Sequence, residues 1–220
     1  TRTTNDGIST VWEVGDEMTA FFTTTQGYGS AKFTNVSGSQ FSGTIRGKRT
    51  NPADWYALYP YSEENEDPTE AVLAIPATAT QDGYDNTSHL AGAYVPLYGY
   101  AKDVADAKVP KLQMHHVATS VEFNITNSET TPIIITGIEM TLPFDLAGSF
   151  KGDLTAEEVE WAPVEGQTVG TVSLDVINGT ALQPKSSATF SLCTMPFSGK
   201  ADFSFTIHAL VGGKQVSFVR

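Results

Sequence analysis

The residues of this sequence with the means to do chemistry are few: four histidines, one cysteine and one acidic run. His115 and His116 are adjacent, and on an extended segment adjacent side chains leave opposite faces, so the pair cannot chelate one ion together. His208 falls on the polar side of an alternating run, and the four histidines, His89 among them, read as structural or solvated side chains in preference to ligands. Cys193 lies in Phe190-Ser-Leu-Cys-Thr-Met195, out of phase with Phe190 and Leu192 and with no base beside it. A nucleophilic thiol needs such a partner, so Cys193 reads as a bland strand thiol, and a single cysteine rules out an intramolecular disulfide. Ser62-Glu-Glu-Asn-Glu-Asp-Pro-Thr-Glu70 holds five carboxylates, the hard oxygen donors calcium takes. It lacks the Asp-x-Asp-x-Asn-Gly spacing that folds ligands around an ion, and reads as a solvated acidic loop. No metal site and no cofactor is expected.

Catalytic motifs are missing in turn. There is no Gly-x-Ser-x-Gly elbow and no His-Glu-x-x-His, and Gly43-Thr-Ile-Arg-Gly-Lys48 is one residue short of a phosphate-binding loop. No catalytic residue is assigned, and an enzyme is not expected.

The elements that would position a site are strands. At residues 117–125, Val117, Thr119, Val121, Phe123 and Ile125 point one way and Ala118, Ser120, Glu122 and Asn124 the other. That period of two sets an apolar face on a core and a polar face in water. It recurs at 171–177, with Val172, Leu174 and Val176 inward. It recurs again at 201–211, with Phe203, Phe205, Ile207, Ala209 and Val211 inward. Gly212-Gly213 then turns the chain into a hairpin toward Val216 and Phe218. Ile133, Ile134, Ile135, Ile138 and Met140 suggest a strand buried on both faces. In the first half, strands are expected at 18–24, 32–36, 41–46, 55–58 and 94–100, with a glycine-rich turn at 26–30 and a hairpin around Ser37-Gly-Ser39. Thr155, three residues before Glu158, is the one sign of a helix start, a capping box that Pro163 would soon end.

The fold class is therefore all-β, with antiparallel β-sandwich architecture. The small, charged segment at 101–110 marks a boundary, giving two domains, 1–108 and 109–220; the alternative is one long sandwich crossed by both halves. Hydrophobic residues form 40% of the 220, enough for a buried core, while a formal charge of −12 without a basic cluster excludes nucleic acid and anionic membrane as partners. No run reaches the ~18 apolar residues of a membrane span. The tyrosines concentrate in the first half, where they either fill a core or, exposed, stack on sugars.

Four pieces in order carry a family resemblance. Thr1-Arg-Thr precedes Trp12-Glu-Val-Gly-Asp16 and the strand at 18–24, and Tyr56-Ala-Leu-Tyr-Pro-Tyr61 follows. Gln81 precedes Leu90-Ala-Gly-Ala-Tyr-Val-Pro-Leu-Tyr-Gly-Tyr100. Last comes Leu112-Gln-Met-His-His-Val-Ala-Thr-Ser-Val-Glu-Phe-Asn-Ile125. Together they resemble the fimbrillin family, the subunits of type V pili in Bacteroides-like bacteria. The resemblance implies two transthyretin-like Greek-key sandwiches, no active site, export as a lipoprotein precursor, and a place on the cell surface or outer membrane in a pilus. It implies other pilin subunits as partners, joined by strand exchange after an arginine-directed protease removes an N-terminal strand; by position Arg2 is the processing arginine. The rival is a surface adhesin or glycan-binding lipoprotein that holds host or bacterial surface ligands through its tyrosine-rich first half. Val216-Ser-Phe-Val-Arg220 ends in mid-pattern, so one more strand is expected, without which the second domain would keep an open edge.

Overall fold

The computed structural model describes residues 4–5, 10–106, 108–200 and 202–219. In chain order the first strands are β1 (Thr4–Asn5), β2 (Thr10–Val11), β3 (Glu17–Thr24), β4 (Gly27–Ser37), β5 (Gln40–Gly43), β6 (Ala53–Tyr59), β7 (Ala71–Ile75), β8 (Thr78–Asp82) and β9 (Leu97–Val104). Next are β10 (Gln113–His116), β11 (Thr119–Thr126), β12 (Ile133–Thr141), β13 (Ala147–Gly152), β14 (Trp161–Val169), β15 (Thr171–Ile177), β16 (Ser187–Thr194), β17 (Ser204–Val211) and β18 (Lys214–Val219). No α-helix occurs among the described residues; 3-10 turns lie at Pro68–Glu70 and Gly92–Tyr94. The expected capping box at Thr155 is not formed. Asp153 takes that role instead, its Oδ1 accepting from the Thr155 amide at 2.8 Å and hydroxyl at 2.6 Å, which makes a turn and no helix.

A six-stranded sheet runs β10-β9-β6-β3-β4-β5, and a five-stranded sheet runs β18-β17-β12-β15-β8. Two smaller sheets, β11-β16 and β14-β13-β7, complete the main body. Alternation sets the faces as expected: Val172, Leu174 and Val176 are buried, and Gly212 and Gly213, with φ of +56° and +79°, form the β17–β18 hairpin. Elsewhere the tertiary arrangement departs from the local pattern. β12 buries one face only, since Ile134 is half-exposed and Glu139 exposed: β15 and β17 flank it within the sheet, and Ile133, Ile135, Ile138 and Met140 alone face the core shared with Phe190 and Leu192. The turn expected at 26–30 is a strand from Gly27 onward, because Gly29 and Ser30 pair with Phe22 and Phe21.

Strand pairing crosses residue 108. β7 pairs antiparallel with β13, and β8 pairs parallel with β15. The main core is continuous across the same point: Phe21, Tyr56 and Leu58 of the six-stranded sheet join Leu73, Ile75, Ile135, Ile138, Phe150, Leu174 and Phe190 in one cluster. At the β13 bulge Gly148 has φ +107°, and a Cβ there would stand 2.0 Å from the Gln167 carbonyl oxygen, so the close approach of β14 requires glycine.

Candidate functional site

The residues singled out for chemistry are scattered. His115 and His116 lie on opposite faces of β10, with His115 stacked on Tyr98 at 5.2 Å between ring centroids and on Tyr100 at 5.9 Å. His208 is exposed and its Nδ1 meets the Ser217 hydroxyl at 2.9 Å. Cys193 is buried against Leu90 and Val95, and burial pushes its thiol from the ordinary 9.0 to about 11, away from the thiolate. In the acidic run, Asn65 bonds the Val72 backbone and Asp67 caps the turn at Pro68–Glu70, while Glu63, Glu64 and Glu66 stay exposed. Among the described residues no group of three or more His, Cys, Asp or Glu side chains is placed to hold a metal ion. Arg2 lies outside the described residues.

The tyrosines are mostly structural. Tyr56 and Tyr59 are fully buried, and the Tyr84 hydroxyl accepts from the Ile135 amide at 2.8 Å. The Tyr94 hydroxyl donates to the Thr78 carbonyl. Burial is the main cause that raises the Tyr56, Tyr84, Tyr94 and Tyr98 hydroxyls above their ordinary 10.0. Tyr28 and Tyr100 alone are exposed among the described tyrosines, at 37% and 38%.

The feature that local chemistry does not explain is a layer that holds only two strands among the described residues. β11 and β16 form a two-stranded sheet, paired from Thr119↔Thr194 to Thr126↔Ser187, laid over the five-stranded sheet. Across the gap between them, the Phe123 and Phe205 rings touch at 5.7 Å. Burial falls steadily toward one side. Phe190 and Leu192 on β16 are 0% and 1% exposed, and Ile138 and Leu174 opposite are each 1% exposed. On β11, Val121, Phe123 and Ile125 are only half-buried, and so are Phe205, Ile207, Val216 and Phe218 on β17 and β18. Among the described residues no further strand of this layer lies beside β11.

The two edges of the small sheet are treated differently. On the β16 side, side chains from residues 81–89 stand in for a neighbouring strand. Gln81 Nε2 donates to the Thr189 carbonyl at 3.2 Å, and its Oε1 accepts from the Ser191 amide. Asp85 Oδ1 accepts from the Thr189 amide at 2.7 Å, and His89 Nε2 lies 2.8 Å from the Ser191 carbonyl. This edge is sealed. On the β11 side, β16 is the only ladder partner among the described residues. Sequence reasoning had the apolar row of β11 but no signal for its edge, because edge or centre is decided by which distant strand lies alongside.

The profile of a family described as fimbrillin-like matches residues 1–218. Among solved structures, the fold is similar to the crystal structure of a "putative cell adhesion protein" from Bacteroides uniformis, at a TM-score of 0.54 and 16% identity, covering 94% of this chain and 78% of that one. No curated protein matches.

Proposed function

The chain belongs to the fimbrillin-like family, and from that premise we propose that it is a pilus- and adhesion-type surface protein, a structural, non-enzymatic pilus subunit that accepts an extended strand of another subunit beside β11. The observation that carries this reading is the half-buried row Val121, Phe123 and Ile125 at an edge with no strand beside it among the described residues, facing a second half-buried row on β17 and β18. A strand laid there would extend the ladder from β11 and cover both rows, the mode of recognition in which main-chain bonds supply affinity and alternate side chains supply register. Fully burying a large apolar side chain is worth about 1.5–3 kcal/mol. Completing the burial of several half-covered ones therefore yields on the order of several kcal/mol, against an ordering cost of similar size.

In this reading the chain comprises two sandwich units, 1–108 and 109–220, with β7 and β8 of the first reaching into the second. It is exported to the outer surface as a lipoprotein precursor, and cleavage after Arg2 removes an N-terminal strand and makes the subunit competent to assemble. The family resemblance supports these steps.

Hydrogen exchange tests the central claim. The outward amides of β11 should exchange quickly in the monomer and become protected when the chain assembles with a partner pilin, while the sealed β16 edge stays unchanged. Unchanged β11 protection on assembly would overturn the reading. For Arg2, a precursor carrying Arg2→Ala should resist activation by an arginine-specific protease; polymer formed equally by mutant and wild type would remove Arg2 as the switch.

A further inference from the structure

The gap beside β11 has walls of defined chemistry. At one end stands a ladder of three phenyl rings. Phe203 stacks on Phe205 at 6.3 Å and 16°, and Phe205 touches Phe123 on the opposite wall at 5.7 Å. Phe203 lies just before β17, on the core-facing side by the alternation, yet it is 60% exposed, the highest exposure of any phenylalanine among the described residues. The expectation that Phe203 is inward and covered therefore fails: nothing among the described residues closes over it. A large exposed aromatic stacked on a half-buried one has little role in the stability of the free chain, and is the kind of residue that anchors an interface. On the outer side of β11, Glu122 sits midway along the strand between inward Val121 and Phe123. It is exposed and makes no salt bridge among the described residues. A residue opposite Glu122 on an added strand would share its face at close range, so its charge would be felt directly.

Resting on the strand-acceptance reading above, we propose that the β11 gap selects its strand by chemistry: a cation opposite Glu122, apolar residues on either side of it facing inward, and a bulky apolar side chain seated on the Phe203–Phe205–Phe123 ladder. The occupant is an extended strand of another subunit that carries this apolar–basic–apolar pattern. A second copy of this chain is disfavoured at the level of charge, since 25 acidic residues face 13 basic ones.

The test uses the 220-residue chain and fluorescein-labelled ten-residue peptides that alternate valine with threonine, with lysine, glutamate or serine at one central polar position. A second peptide set replaces one terminal valine by leucine or alanine. Fluorescence anisotropy at low salt should place the lysine peptide about fivefold tighter than the glutamate peptide, and the difference should shrink at high salt. Glu122→Lys should invert that order. Phe203→Ala should lower affinity for the leucine peptide by roughly tenfold and abolish its advantage over the alanine peptide, while the Tm of the free chain stays nearly unchanged. Peptides that bind equally whatever their central charge, with no effect of Phe203→Ala, would overturn this selection rule and leave strand acceptance standing. Failure of every peptide to bind would overturn strand acceptance itself.

Discussion

Cys193 shows how environment sets the behaviour of a single side chain. The residue is 4% exposed, and burial holds its thiol in the neutral form. A disulfide reagent at pH 8 should leave the native protein unmodified and label one thiol per chain only after denaturation; rapid labelling of the native form would contradict this burial. The buried hydroxyls of Tyr56, Tyr84, Tyr94 and Tyr98 act in the same direction. Each group loses its proton at lower pH in the unfolded chain than in the folded one, so its contribution is fully present below the unfolded value. Stability should then fall as pH rises from about 9 upward, measured by urea midpoints across pH 7–11. Tyr98 separates packing from sugar stacking. It is half-buried, packs against the main core and lies 6.2 Å from Trp161, ring to ring. Tyr98→Ala should cost about 2 kcal/mol, below the ~3–5 kcal/mol of fully buried aromatics because it is partly exposed. An unchanged Tm with loss of a glycan-array signal would favour the adhesin alternative.

Among elements, the sheet edges differ most in how they were made. Gln81 is 0% exposed and bonds two residues of β16. Gln81→Ala would leave the buried Ser191 amide without that acceptor, at a cost of about 1–3 kcal/mol. The expected result is a lower denaturation midpoint together with faster exchange of the β16 amides. No change in either would show that the edge is held by other groups. Under the proposed strand acceptance, this contrast with β11 would close one strand of the pair to other chains and leave its partner open.

At the scale of the whole molecule, the halves are interdependent. Residues 109–220 expressed alone would lose β7 and β8, exposing the edges of β13 and β15 and removing Leu73, Ile75 and Ala79 from the core. That fragment should lack dispersed amide resonances, whereas the full chain should show them. A well-folded fragment would mean that the lent strands are dispensable. Circular dichroism of the full chain should show strand signal and little helix, well under the ~30% of an average domain.

Alternation along the chain settled which residues of β11, β15 and β17 face a core and which face water, because a period of two is a local property that one segment displays by itself. The β17–β18 hairpin was equally legible, since paired glycines supply the positive φ that its turn needs. The missing catalytic motifs could also be read directly. Tertiary structure alone decided that Thr78–Asp82 runs parallel to β15 nearly a hundred residues away, that side chains from 81–89 close one edge of a sheet, and that Phe203 projects into water. Each of these depends on which remote strand arrives alongside. Two strands with the same apolar row carry the same local pattern whether one lies at the centre of a layer or at its open rim.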